Sequence, residues 1–496
     1  MAEHFDVCVL GGQPAGFLTA ALLAKRKKRV VLIDHGEGFD QYKQGGVAYP
    51  LLPQPLVGLR GFRAADRVLE ELGAQIDLPR RYIESKPSLQ AIFARHRLDL
   101  DGTNDEIVAE ARREFGDEAG KLKNALSCID ATAAELESTL EDEHALPLPS
   151  WWGRFFQGRR LTGKSTSLRT PASKSAIFDD LPCEHPLGET LVEAARFATH
   201  LDASDLPRSV LALLSQRALS GSVRLDGNGG SYLDVLAQLV TQAGGTVRRA
   251  TLVDELASDP KRITAVETSG ATRFAFKADF FVTALYSHEL WQSLPRSRAL
   301  SRFIEENAQL RVRAKMYFHH LLVKEEGLPV ALGDNLLLLN GRRATRDGEN
   351  ADSAVWVTVR RQHTKEHALI SAAIEVKDSE ATSLPEQLAT QRKRVRKQLE
   401  RMMPFLSPFV AAESSPMAQS DWDSQEQGAR KLDPWQLHPR YEPMADAWLG
   451  VTGLPFHTPF KNLFRVGRET LPGLGAIGDF VSARMAAEAI LMQMKA

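Results

Sequence analysis

Cysteine is scarce in this chain of 496 residues: Cys8, Cys128 and Cys183 are the only three. Their spacing matches no metal site and builds no disulfide framework, which sets aside zinc modules and cysteine-stapled secreted domains. Cys8 falls within a predicted strand and needs to be no more than a small buried apolar residue. So few cysteines fit a reducing compartment. Excess charge is missing as well: 62 Lys and Arg stand against 63 Asp and Glu, and nothing global marks nucleic acid as a partner. No apolar run is long enough to span a bilayer and no leader precedes the first strand, so a soluble, cytoplasmic protein is expected, at most surface-associated. What is present is an ordinary globular balance, 43% hydrophobic and 25% charged, on a chain long enough for two closely connected domains.

The most informative stretch comes first. The apolar run Phe5–Leu10 feeds a turn, Gly11-Gly12-Gln13-Pro14-Ala15-Gly16, and then an apolar helix from Phe17. Arg29–Ile33 reads as a second, buried parallel strand ending at Asp34. This is the βαβ unit that binds a dinucleotide. Gly11 permits the tight turn, Gly16 lets helix and strand pack closely, and the helix N-terminus offers free N–H groups to a pyrophosphate. Asp34 sits where an acid accepts hydrogen bonds from ribose hydroxyls. Gln13 departs from the G-x-G-x-x-G pattern, because its Cβ occupies the position where backbone would approach the phosphates. A Rossmann-like unit that has lost its ligand therefore stays as a second reading.

Further along, the loop His35–Val47 closes on Gly45-Gly46, read either as a surface turn or as a backbone approach to a cofactor. Leu89–Arg97, Asp105–Phe115 and Ala119–Leu140 carry apolar residues at three- and four-residue intervals and are expected to be amphipathic helices. Trp151-Trp152-Gly153-Arg154-Phe155-Phe156 and the arginines after it fit a core or tunnel lining, and in a second reading a membrane-surface patch. Helices are predicted over Leu187–Thr199 and Pro207–Ala218. A glycine-rich turn at Asp226–Gly230 opens a helix to about Ala243, followed by strands at Thr246–Ala250 and Val253–Leu256, a hairpin over 262–279, and a separate buried strand, Phe280–Leu285. From about Gln292 to Pro443 strands are predicted at Lys315–Val323, Asn335–Leu339, Ala354–Arg361 and Ala368–Val376, then a basic helix at Leu384–Met403. Within the first of these strands, His319-His320 should place one imidazole inward. The chain closes with a strand, Gly467-Arg468-Glu469, the loop Pro472-Gly473-Leu474-Gly475, and a helix over Val481–Ile490, a repeat of the N-terminal logic.

In three blocks, Leu10–Asp34, Asp226–Leu285 and Asn462–Ile490, the chain resembles the phytoene desaturase and flavin amine oxidase superfamily of FAD-dependent oxidoreductases. The resemblance implies an α/β fold: a Rossmann-like, glutathione-reductase-like FAD domain assembled from discontinuous segments (1–85, 220–290 and 444–496), a helical insertion (86–219) and an α+β substrate domain (291–443). It implies FAD as cofactor, with Gly11, Gly12, Gln13, Pro14, Ala15, Gly16, Asp34, Gly45, Gly46, Val253, Gly467, Arg468, Glu469, Gly475 and Ala476 as candidate contacts. The family's acid commonly follows the closing glycine; here Arg468 takes that place and Glu469 comes one later. Hydride transfer between flavin and a small hydrophobic substrate, polyene or isoprenoid-like, is the expected activity. A non-redox protein binding a lipid or protein partner, and an amine oxidase, are the alternatives. The sequence identifies no catalytic acid or base, no metal site and no oligomeric state.

Overall fold

In the computed structural model the described residues are 3–34, 40–51, 56–116, 120–142, 176–178, 181–182, 185–202, 206–220, 222–225, 231–249, 251–270, 274–339, 354–377, 385–415, 439–443 and 448–495. The stretch Trp151–Arg160, Cys183 and the turn Asp226–Gly230 lie outside them. Among the described residues no helix is long and apolar enough to cross a membrane.

The first strand, Glu3–Leu10, is apolar on both faces from Val7 onward, and its last four residues are fully buried. Such a strand needs cover on both sides and parallel neighbours. It has them: Val30–Ile33 on one edge and Phe274–Thr283 on the other. The sheet runs Thr246–Arg248, Val30–Ile33, Glu3–Leu10, Phe274–Thr283, Arg262–Gly270 and Thr251–Asp259, with Leu463–Arg465 added parallel to Phe274–Thr283. The first helix, Pro14–Lys25, is buried from Pro14 to Ala24. A helix apolar all round must be enclosed, and this one packs against the last helix, Ala476–Lys495.

One sequence expectation is corrected here. The hairpin strand and the separate buried strand predicted across 273–285 are a single strand, Phe274–Thr283. Its first half pairs antiparallel with Arg262–Gly270, and its second half takes Leu463–Arg465 in parallel. Asn462 fastens this junction. Its Oδ1 accepts the Ile263 N–H (2.9 Å), and its Nδ2 donates to the carbonyls of Ile263 (2.8 Å) and Asp279 (2.9 Å).

A second sheet runs Val410–Ser414, Leu310–Lys324, His367–Lys377, Val355–Arg360, Asn335–Leu338, Leu89–Ile92 and Arg97–Leu100, with Pro439–Pro443 also paired to Leu310–Lys324. Its outer face (Tyr317, Leu321, Val357, Ile374) packs on Val395, Leu399 and Met403 of the basic helix Pro385–Met402. Its inner face (Met316, Phe318, Trp356) joins the core of the first domain. Leu89–Arg97 is therefore no helix. Residues 89–100 form a hairpin on the edge of this sheet, not part of a helical insertion. The alternation Arg97-Leu98-Asp99-Leu100 has strand period, with Leu98 and Leu100 buried. The predicted helices after it are present as Asn104–Phe115, closed by a Thr103–Glu106 capping box, and Gly120–Asp142.

Asn462→Ala strands the backbone groups of Ile263 and a carbonyl of Asp279 in the interior. We expect it to lower the unfolding free energy by about 2–4 kcal/mol, read by denaturant melts. An unchanged midpoint would show that these groups find other partners.

Candidate cofactor site

The N-terminal turn is defined by what it touches. Gly11 has φ +101°, and a Cβ there would lie 2.7 Å from the carbonyl carbon of Ala284 and the nitrogen of Leu285. Only glycine meets both the dihedral and the contact. The turn is held by Gly11 N–H donating to the Ile33 carbonyl (2.8 Å) and Ala284 N–H to that of Leu10 (2.7 Å). A Cβ on Gly16 would come within 2.9 Å of the Ala284 Cβ, and one on Gly12 would run into the Asp34 carboxylate. Asp34 is thus brought directly over the turn. It is buried, with Arg249 Nε 3.8 Å from its Oδ2.

Gln13 caps the first helix with extended backbone, φ −71° and ψ 152°. Its side chain is buried and crosses to the closing segment, where Oε1 accepts the Arg468 N–H at a long 3.4 Å. A Cβ on Gly467 would lie 2.7 Å from that oxygen. On the other side, Ala15 N–H in the helix's first turn donates to Asp479, which belongs to the last helix. Burial pushes the Asp479 carboxyl up to about 7, against the opposing pull of the Arg468 charge and the Ala15 hydrogen bond. A carboxyl therefore stands at the helix N-terminus, where an anion is favoured.

Around these groups lies a cavity of about 30 Å³, room for one water-sized molecule. Pro14 and Ala476, at the starts of two helices, line it with Arg468 and Asp479; Leu56, Val57, Phe197, His200, Tyr232 and Trp356 complete the wall. Among the described residues the buried Asp479 Oδ1 and Trp356 Nε1 have no hydrogen-bond partner. An acceptor and a donor facing one cavity unmet is the pattern left when a polar ligand is missing. The residues fit a dinucleotide's pyrophosphate on two conditions: Gln13 must change rotamer, and Asp479 must release Ala15 N–H or carry a proton. The cavity must widen as well, because a pyrophosphate is several times the size of the single water that about 30 Å³ admits.

Other expected contacts are placed elsewhere. Gly45 (φ +57°) and Gly46 (φ +79°) form the exposed tip of a hairpin between Gln41–Gln44 and Val47–Pro50, with open space around both. Positive φ at two successive turn positions accounts for the pair as turn residues. Val253 is buried with Leu10 and Ile33 on the opposite side of the sheet from the first helix. Glu469 turns away from the cavity: Ser287 donates to its Oε2 from N–H (3.0 Å) and Oγ–H (2.5 Å), and burial raises its pKa. Gly475 is required by the close approach of the Ala198 carbonyl. Both His319 and His320 are buried, on opposite faces, because helix and hairpin cover both sides of their sheet. His320 Nδ1 lies 2.9 Å from Ser371 Oγ beside Tyr42, Tyr49 and Phe318. Burial drives its pKa well below the usual imidazole range, so the ring is neutral.

Asp479 was not singled out from the sequence, and neither were Phe197, His200 or Trp356. An acid in the first turn of a helix is a common stabilising pattern, which hides Asp479, and the other three converge only through folding. Asp479 also generates a stability signature. Between about pH 4 and about 7 the folded protein holds a proton that the unfolded chain has lost, so this group withdraws stability as pH rises through that window. The slope is at most about 1.4 kcal/mol per pH unit. Asp479→Asn should remove it, seen as a flatter thermal midpoint against pH than wild type; parallel profiles would show that Asp479 is ionised throughout.

No protein-family model matches the chain, and no curated protein matches it in sequence. Solved structures match it in fold. An oxidoreductase from Methanosarcina mazei aligns with a TM-score of 0.59 at 13% identity, over 98% of this chain and 99% of its own. A single-site mutant of putrescine oxidase gives 0.59 at 13% identity, over 99% and 100% of the two chains. Wild-type putrescine oxidase bound to putrescine gives 0.59 at 12% identity, over the full length of both. Across its length, the chain has the mixed α/β fold of these oxidoreductases.

Proposed function

We propose that the protein is an FAD-dependent oxidoreductase whose cofactor lies along the turn Gly11–Gly16 and the closing segment Gly467–Ala476. The observation that carries this reading is the shared cavity: the N-termini of two helices and the Arg468 side chain open onto it together. Two positive dipole ends and a guanidinium suit a pyrophosphate, and Asp34 above Gly12 suits the adenosine ribose. Bound FAD would supply a hydride acceptor or donor. The chain's own part is to seat the phosphates on the Ala15 N–H and Arg468, to hold Asp479 protonated beside them, and to exclude water with Phe197, Leu56, Val57 and Trp356.

Those four side chains support a hydrophobic substrate, polyene or isoprenoid-like, over a small amine. An amine needs aromatic rings spaced to admit an ammonium group. The aromatic pair that lines the cavity, Phe197 and Trp356, has ring centroids 5.5 Å apart, and the stacked pair Tyr42 and Tyr49 5.2 Å, leaving no gap for one. A second reading has a specific observation in its favour. Gln13 and Asp479 already satisfy N–H groups that phosphates would take, as expected of a flavin-type fold reused to bind a lipid or protein partner without redox turnover.

The visible spectrum of freshly purified protein separates the two. A flavin spectrum with FAD released on heating supports the enzyme; apoprotein that cannot take up added FAD at any pH sinks it. Gln13→Gly should tighten FAD binding by up to about tenfold, and Asp34→Ala should weaken it roughly 10- to 100-fold. FAD affinity should fall above pH 7, by at most about tenfold per unit, because ionised Asp479 opposes the phosphates. Asp479→Asn should abolish that fall.

A further inference from the structure

The two most exposed large apolar side chains among the described residues, Val330 and Phe405 (100% and 83% accessible), follow Pro329 and Met403, which line one groove. The groove encloses about 270 Å³ between the edge hairpin of the second sheet and the end of the basic helix, lined by Phe93, Arg97, Leu332, Gln398, Arg401 and Met402 among others. Val330 is presented by a fastened turn. Arg97 donates to the Ala331 carbonyl, and Arg361 Nη2 donates to those of Pro329 and Leu332, each at 3.2 Å. A fully exposed valine on a turn clamped by two arginines is held outward by the fold.

The helix beside it carries Arg392, Lys393, Arg394, Arg396, Lys397 and Arg401 against Glu386 and Glu400. Its neighbouring acids are consumed on one side. Arg396 takes Glu400 (2.8 Å) and Glu413 (2.6 Å), and Arg392 lies 3.7 Å from Glu413. Among the described residues the exposed Lys393 and Lys397 make no ion pair. With Arg401 they form a line at four-residue spacing, pointing along the helix toward Phe405. Glu326 is exposed on the turn before Val330 and is outnumbered by these cations.

We propose that this face docks on an anionic lipid bilayer, with Lys393, Lys397 and Arg401 over the headgroups and Phe405 and Val330 at the acyl boundary. Charge complementarity selects the occupant: protruding apolar side chains beside the exposed Lys393 and Lys397 are what an anionic lipid surface rewards, and what water does not. This inference does not depend on the flavin reading.

Co-sedimentation of the full chain with phosphatidylcholine vesicles, with and without phosphatidylglycerol, tests it. Wild type should bind only the vesicles containing phosphatidylglycerol, more weakly as salt rises. Lys393→Gln with Lys397→Gln should lower binding roughly 30-fold. Phe405→Ser with Val330→Ser should also lower it, while leaving the salt dependence in place. All four positions are exposed, and an unchanged thermal midpoint confirms that the variants are folded. Absence of binding at low salt, equal binding to neutral vesicles, or wild-type binding by both double variants would each overturn the assignment to this face.

Discussion

The close passage of Gly11 against the backbone of Ala284 and Leu285 is the contact on which the rest depends. It joins the first turn of the chain to the end of a strand more than half the chain away in sequence, with no side chain between them. Once it is made, Gly16 packs on Ala284, Asp34 settles over Gly12, and the closing segment follows. Val466 N–H donates to the Thr283 carbonyl (3.0 Å), which sets Gly467 and Arg468 opposite the first helix. Three distant segments thus converge on one point through backbone contacts, and the candidate cofactor site is that point.

The site is satisfied in part from within. The Gln13 amide and the Asp479 carboxyl meet N–H groups that the fold would otherwise leave facing an empty cavity, consistent with the rule that buried donors find acceptors. Ligand entry then exchanges internal hydrogen bonds for external ones, so the net gain per contact is a difference of similar terms. The orphaned Asp479 Oδ1 and Trp356 Nε1 mark where that internal solution is incomplete. The second sheet obeys the same logic of cover. With the basic helix on one face and the first domain on the other, even adjacent residues such as His319 and His320 are both interior.

Much of this was legible in local pattern. The N-terminal βαβ unit, the helices at 104–115 and 120–142, and the four central strands of the second sheet follow from apolar periodicity and turn chemistry, which are properties of neighbouring residues. Leu89–Arg97 was misread because a four-residue strand gives too short a run to separate period 2 from period 3.6. Phe274–Thr283 was divided in two because one strand changes partners midway, and partner identity is not written in the strand's own sequence. Glu469 offered the right chemistry near the right place, yet Ser287 captured it.

The sequence by itself determined most of the elements, the glycine turn with its acid at Asp34, and the recurrence of strand, loop and helix at the end of the chain. These are set within a few residues by dihedral restriction and burial period. Only the tertiary structure decided which groups share the cavity. It placed Asp479 on the N–H of Ala15, laid Gln13 across to Arg468, and closed the wall with Phe197, His200 and Trp356. Those pairings join residues from separate segments, and their energies come from desolvation and contact that exist only once the chain has folded.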